Sequence, residues 1–482
     1  MGVSFRVPLY IVGLLLLALA VAMVPSAAVD AVVGNPEWRV FAVSAGLTMF
    51  VGAALVMTNR GSEMRLGIRE GFLLTVLGWT VVAAFAALPF LFSDAKLEYA
   101  DAFFEAVSGL TTTGSTVLTG LDTRPPGILL WRSLLEWIGG IGIIVMAIAL
   151  LPFLSVGGMQ LFRTESSDRS EKVLPRATDI AVAIGKVYVG LTALCALAYL
   201  AAGLTVFEAV NHAMTTLSTG GFSTSDDSMA KFTPLAQWVS VVFMIAGGLP
   251  FVRYIQALRG DAGSLWRDPQ VRLFLTFVAA VIATMAVQRL VTTGGPPERV
   301  LREVAFNVIS VVTTTGYANA DYNAWDGFAK VVFLLLIFFG ACSGSTSGGI
   351  KMFRFEIMGR AFANQMARLT QPHAVRLLIY DGRRVSDDDA RSVLAFWATY
   401  VATVVVVALA LAAFGLDFET AISGAATAVS NVGPGLGPVI GPVGNFATIP
   451  DGAKWVLSFA MLLGRLELFT ILVLFLPRFW RD

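Results

Sequence analysis

The sequence predicts an all-α integral membrane protein of ten transmembrane helices, with four tandem units of helix, pore loop and helix around a pseudo-four-fold central pore. Three observations predict it. Apolar residues make up 56% of the 482-residue chain and charged residues only 14%, a balance outside that of soluble domains. The apolar residues gather in ten runs of about the twenty residues a helix needs to cross a bilayer: 7–28, 38–57, 71–93, 127–153, 178–202, 235–258, 270–291, 327–350, 392–416 and 454–477. Finally, Thr111-Thr112-Thr113-Gly114 returns in altered form as Ser218-Thr219-Gly220-Gly221, Thr313-Thr314-Thr315-Gly316 and Ser430-Asn431-Val432-Gly433.

The register of these tetrads is shared. Aligned on the last glycine, each has Ser or Thr three residues earlier and another hydroxyl six earlier, at Ser108, Thr215, Ser310 and Thr427. An acid stands thirteen residues ahead at Asp101, Glu208 and Glu303; the fourth copy has Thr420 there, beside Glu419. The apolar run between acid and glycine is long enough for only about three helical turns, so it cannot span a membrane. These short runs fall between spans three and four, five and six, seven and eight, and nine and ten. From residue 71 the chain therefore reads as one pattern written four times. A two-helix N-terminal membrane segment (1–70) precedes repeats 71–177, 178–269, 270–391 and 392–482.

Along the chain, Arg6, the apolar run after it and Ser26-Ala27-Ala28 resemble a secretory signal, but the run is long enough to span and reads as a retained first helix. With the N-terminus cytoplasmic, 23 of the 34 Lys and Arg residues lie on inner segments, 10 on outer ones, and Arg465 within the last span. The positive-inside rule accepts this orientation, which also puts the C-terminus in the cytoplasm. Asp94, Glu98, Asp226, Asp227, Asp321 and Asp326 give the outer loops a negative cast that attracts cations. The near-zero net charge implies no nucleic-acid partner.

Within the fourth span, Arg132 and Glu136 share a helical face at i, i+4 and read as an ion pair anchoring its outer half. Gly139-Gly140-Ile141-Gly142 reads as close helix packing through small residues. Residues 163–176, past Gly157-Gly158, read as a charged cytosolic loop. His212 and His373 are too isolated for a metal site or Ser-His catalysis, Cys195 and Cys342 make no disulfide framework, and no P-loop is present. The pattern is not that of an enzyme.

The eighth span is abnormal. A helical stretch over 328–339 runs into ten residues from Gly340 to Gly349, rich in Gly, Ser and Thr, followed by Lys351 and Arg354. Such residues break a helix at membrane depth, where irregular backbone persists only under cover of protein or water. Gly340, Gly344, Ser345, Gly348, Gly349 and Lys351 are therefore expected to obstruct the pore from below. In the tenth span, Arg465 is too costly to face lipid and is expected to project into the permeation path; Glu467, two residues on, is poorly oriented to pair with it.

A permeating ion must exchange its hydration shell for something equivalent, and closely spaced backbone carbonyls serve. The four tetrads fit, because glycine adopts angles that turn carbonyls to an axis while hydroxyls hold the loop from behind. The short helices would direct their electronegative C-terminal ends to the same place.

These residues resemble the TrkH/TrkG/KtrB superfamily of potassium uptake proteins, and most closely its TrkH type. The resemblance rests on 108–114, on Gly158-Met159-Gln160-Leu161, on 218–224, on 430–435 and on the leading pair of spans. It implies potassium as permeant ion, bound by backbone carbonyls of the sixteen tetrad residues. It implies a bacterial inner-membrane homodimer with one pore per protomer, attached to a cytosolic TrkA ring that binds the nucleotide, ATP/ADP or NAD, on the partner alone. It also makes 340–350 a gating loop and Arg465 the arginine below the filter. Ser115, Phe222, Tyr317 and Pro434 differ after the shared glycine, so the filter is only approximately four-fold. The alternatives are a sodium- or proton-coupled potassium symporter and, distantly, an intramembrane hydrolase using Ser343, Ser345 or Ser347.

Overall fold

A computed structural model describes residues 4–61, 67–149, 177–371 and 376–481. The connector 163–176, Gly157-Gly158, the 158–161 exit, the end of the fourth span after 149, Arg65 and His373 lie outside the described residues.

Among those described, seven helices are long and apolar enough to cross a bilayer: Arg6–Val32, Trp38–Asn59, Ile68–Phe92, Pro126–Met146, Asp179–Ala201, Pro269–Thr292 and Asp387–Ala413. Their surfaces explain why the chain sits in lipid. Phe50, Leu197, Val291 and Leu409 lie more than half exposed on these helices, while Ser and Thr side chains of the tetrads are buried. Apolar groups outward and polar groups inward is the arrangement an apolar solvent selects.

Three predicted spans are not straight helices. The run 235–258 is Pro234–Gly248 followed by Phe251–Leu258, bent by 93°. Gly247-Gly248-Leu249-Pro250 lies at the break, where proline has no N–H to donate and forces the residue before it into extended backbone. The run 454–477 is bent by 106° between Asp451–Arg465 and Phe469–Phe475. Glu467 and Leu468 both have positive φ there, 60° and 48°, and Phe469 N donates to Glu467 O across a γ-turn. In the eighth span the helix is Gly327–Leu336, and irregular backbone follows as expected.

The leading helices pack through small residues. A Cβ on Gly13 would lie 2.9 Å from Gly52 O, and one on Gly52 3.0 Å from Gly13 O. Two buried acids fasten this pair to the chain that follows: Gly127 N donates to Asp30 Oδ1 at 2.8 Å and Asp94 N to Glu37 Oε1 at 2.7 Å. The all-α prediction is interrupted among the described residues by one small antiparallel pair, Ile379–Tyr380 with Arg383–Arg384.

The four short runs are helices Tyr99–Leu110, Val206–Leu217, Pro297–Val312 and Phe418–Ser430. Their N-termini are fastened individually. Thr205 and Glu208 form a capping box, and Asp417 accepts from Thr420 N at 3.1 Å. Asp101 pairs with the buried Lys454 at 2.5 Å, and Glu303 with Arg289 at 3.2 Å and Arg299 at 2.8 Å. Of the acids thirteen residues ahead of the glycines, Asp101 and Glu208 stand in the first turn of their helices, where the helix dipole favours them, and Glu303 lies in the second turn of its own.

Candidate functional site

At the other end of each short helix the chain turns in one way. The third tetrad residue donates its N–H to the carbonyl of the residue six before the glycine: Thr113 to Ser108 at 2.8 Å, Gly220 to Thr215 at 2.9 Å, Thr315 to Ser310 at 2.8 Å and Val432 to Thr427 at 3.1 Å. The second residue donates one step later, as Thr112 does to Gly109 at 2.9 Å. This pair of bonds is a Schellman cap. Its left-handed position is usually glycine, yet here it holds Thr112 (φ 51°), Thr219 (52°), Thr314 (58°) and Asn431 (55°). Left-handed backbone is strained for a β-branched residue and concentrates at functional sites. The last residue is left-handed again, at Gly114 (80°), Gly221 (86°), Gly316 (82°) and Gly433 (112°).

The four turns meet. A Cβ on Gly114 would collide with the carbonyl oxygen of Gly220, one on Gly221 with that of Thr315, and one on Gly316 with that of Val432. One on Gly433 would lie 2.7 Å from Thr113 O, which closes the circle. Each glycine abuts the third-residue carbonyl of the next tetrad in sequence order. Glycine is needed here twice, for its φ and for the close approach. Ser115 Oγ adds a bond across the closure, donating to Gly433 O at 2.9 Å.

Side chains buttress the turns from behind. Thr111 and Thr113 share a hydroxyl bond of 2.7 Å, and Thr313 and Thr315 one of 2.8 Å. Ser430 Oγ bonds Tyr400 OH, and Asn431 Nδ2 donates to Thr113 Oγ1 at 3.0 Å and Met461 O at 2.9 Å. Gly139 and Gly140 let their helix close on the ends of two short helices: a Cβ on the first would strike Leu110 O and one on the second Ser218.

The irregular segment packs against the turns. Thr346 Oγ1 donates to Leu217 O at 3.1 Å and Gly247 O at 3.0 Å, and Thr219 Oγ1 bonds it at 3.0 Å. Gly348 N donates to Thr314 Oγ1 at 2.7 Å, and a Cβ on Gly348 would crowd Ser430 O. Gly344 and Gly349 have positive φ, 75° and 64°, and a Cβ on Gly340 would collide with Gly348 O. Ser345 Oγ donates to Cys342 O at 2.6 Å, and the buried Lys351 to Ser347 O. Protein therefore covers this backbone at membrane depth.

Arg465 is only 2% exposed. Its Nη1 donates to Thr346 O at 2.9 Å, while Nε and Nη2 have no partner among the described residues. With Lys351, Glu467 and residues of the segment it lines a cavity of about 20 Å³, room for a single water. A buried guanidinium with unmet donors keeps a cationic field beside the turns.

One expectation holds and another changes. Glu467 pairs with Arg354 at 2.6 Å, away from Arg465, and the Arg354 guanidinium lies 3.7 Å over Phe396. Arg132 and Glu136 do not form an ion pair. Arg132 Nε binds Glu105 at 2.8 Å and its other nitrogens bond Ser223 O at 2.8 Å and Thr116 Oγ1 at 3.1 Å, whereas Glu136 accepts from Phe222 N. Sequence spacing proposed the local partner, and tertiary packing supplied distant ones. Glu105, Thr346 and Tyr400 were given no role by the sequence, and Arg354 was noted only as a basic residue after the irregular segment; the signal for Glu105 was a second acid, one turn after Asp101, in an otherwise uncharged short helix. His212 bonds Glu208 O and Ser223 Oγ, the place of a structural histidine, and Cys195 and Cys342 are buried free thiols.

Outward apolar helices, four helix ends converging on backbone carbonyls and a guarded polar interior define a membrane protein that moves small cations. The chain belongs to the TrkH family of cation transport proteins, whose sequence profile matches residues 39–481. It is 46% identical over 476 residues to the Trk system potassium uptake protein TrkI of Halomonas elongata, covering 98% of this chain and 96% of that one. It is 37% identical over 485 residues to TrkH of Escherichia coli K12, covering 99% and 100%. The crystal structure of the potassium transporter TrkH from Vibrio parahaemolyticus superposes with a TM-score of 0.92 at 36% identity, over 99% of this chain and 100% of that one. These relatives are transport proteins rather than enzymes.

Proposed function

We propose that this chain takes up potassium across a bacterial inner membrane through a gated pore, with four membrane repeats (71–177, 178–269, 270–391, 392–482) after a two-helix leader. The filter is 111–114, 218–221, 313–316 and 430–433. Backbone carbonyls of these residues replace the ion's water, and their left-handed residues aim the carbonyls inward. One observation carries the reading: each tetrad glycine abuts the carbonyl of the next tetrad until the fourth returns to the first. The electronegative helix ends that lead into this ring favour a cation.

Flow is limited by 340–350 with Arg465. The segment's bonds to Leu217 O and Thr314 Oγ1 and the unpaired donors of Arg465 support a closed gate held against the filter from the cytosolic side. In this reading the chain works as a homodimer with cytoplasmic termini, under a TrkA-type ring that carries the nucleotide. The likeness to Trk-system proteins supports it.

Reconstituted vesicles test the function. Rubidium uptake suppressed by external potassium and spared by equal sodium is the expected result; equal competition by both ions contradicts selectivity. Uptake should follow the potassium gradient alone, and dependence on a sodium or proton gradient would move the mechanism to symport.

A further inference from the structure

The geometry points to Glu136 as a fixed counter-charge to the cation in the filter, an assignment that rests on the filter reading above. Glu136 is fully buried on helix Pro126–Ala149. Among the described residues it takes part in no ion pair: Arg132, one turn earlier, is engaged by Glu105 at 2.8 Å. Its recorded hydrogen bonds are from Phe222 N, 3.1 Å from each carboxyl oxygen. Phe222 directly follows the last glycine of the second tetrad. The side chain also stands immediately behind Gly220, where any Cβ would run into its carboxyl group. Gly220 is the residue whose carbonyl abuts Gly114 in the ring.

An anion buried with no cation at ion-pair distance is costly; Arg132 and Arg465 act on Glu136 only from farther off, and one backbone N–H is modest compensation. A cation held by the ring would lie one backbone width away, across low-dielectric protein, and would supply the missing compensation. The benefit is mutual, because whatever the cation contributes to Glu136, Glu136 contributes to cation affinity. The side chain is held for this purpose. Gly139 and Gly140, one turn on, pack the helix closely against Leu110 and Ser218, which fixes the backbone that carries the carboxyl group. Among the described residues no other tetrad has a carboxylate bonded to the residue directly after its last glycine, and Glu105, which bonds Val117 N beyond the first tetrad, is paired with Arg132, which places the charge on the second tetrad and makes the site electrically asymmetric.

Glu136→Gln tests this, since it keeps an oxygen to accept from Phe222 N and removes the charge. Rubidium uptake by the full chain in vesicles is measured against external rubidium for wild type, Glu136→Gln and Glu136→Asp, with detergent melting as a fold control. Loss of one charge at this range should raise the half-saturating concentration roughly tenfold. The maximal rate should stay within about twofold and the melting temperature should hold, because the hydrogen bond survives. Glu136→Asp should fall between the two. Wild-type half-saturation in Glu136→Gln overturns the assignment, as does a lowered maximal rate with half-saturation unchanged, the mark of a structural prop. Wild-type vesicles that take up no rubidium would instead defeat the potassium reading itself, and the Glu136 assignment with it.

Discussion

The first and third tetrads are both Thr-Thr-Thr-Gly and fold alike, yet their second threonines do different things. Thr314 Oγ1 accepts from Gly348 N at 2.7 Å, whereas Thr112 Oγ1 is buried with no partner among the described residues. Backbone path and the hydroxyl bond between first and third threonines are common to both, so the ring does not need the second hydroxyl. What that hydroxyl meets is decided by the segment beneath. Thr219 bonds Thr346 in the second tetrad, and Asn431 turns to Met461 in the fourth. The ring is built from carbonyls and glycines, whereas the second-position side chains diverge: those of the second and third tetrads reach the irregular segment, that of the fourth joins Met461 and Thr113, and that of the first meets no partner among the described residues.

The largest effect should come where the two tetrads are the same. Gly114→Ala and Gly316→Ala each place a Cβ in left-handed backbone against a neighbouring carbonyl, and each should cut rubidium uptake on the order of 100-fold or more. Near-normal uptake in either would break the ring. Next is the buried pair at the bend of the last helix. Glu467→Gln leaves Arg354 without its carboxylate and should cost about 3 kcal/mol, read as a lowered midpoint in thermal melting.

Removing the cation under the turns should act in the opposite direction on transport. Arg465→Ala loses the bond to Thr346 O and the unpaired positive charge, and should raise uptake roughly tenfold. Unchanged flux would detach Arg465 from the gate. The comparison itself is sharpened by Thr314→Val against Thr112→Val. The first removes a hydrogen bond worth about 1 kcal/mol and should raise uptake about fivefold; the second removes a hydroxyl with no partner and should leave it unchanged. Equal effects would mean that the hydroxyl serves the ring after all.

The smallest effect belongs to the outer surface. A hydrogen bond from Lys231 holds the Asp122 carboxyl below its ordinary range, aided by Ser225. That stabilisation is present above the ordinary carboxylate pKa and is lost as pH falls through the lowered one. Both side chains are more than one-third exposed, so Asp122→Asn should change stability by under about 0.5 kcal/mol, with the full effect above about pH 4 and none well below it.

Much of this was legible in the residues. Register carried the tetrads, because a hydroxyl six before the glycine marks where the Schellman bond lands. The disturbance at 340–349 was legible because glycine, serine and threonine are poor company in a span. Bends were not. Hydropathy counts apolar residues and is blind to direction, so 235–258 read as one helix although Pro250 sat in it. At Glu467 and Leu468 no residue type announced left-handed backbone; the surrounding packing imposes it. Ion-pair partners were equally hidden, since Glu105 and Lys454 lie far along the chain from Arg132 and Asp101.

The central claim is that carbonyls of the four turns together hold the permeant ion. Crystals of the protein grown with rubidium, or soaked with thallium, and measured at the anomalous edge address it directly. Anomalous peaks are expected inside the ring bounded by Thr113, Gly220, Thr315 and Val432. Peaks only elsewhere, in protein shown to transport that ion, would contradict it.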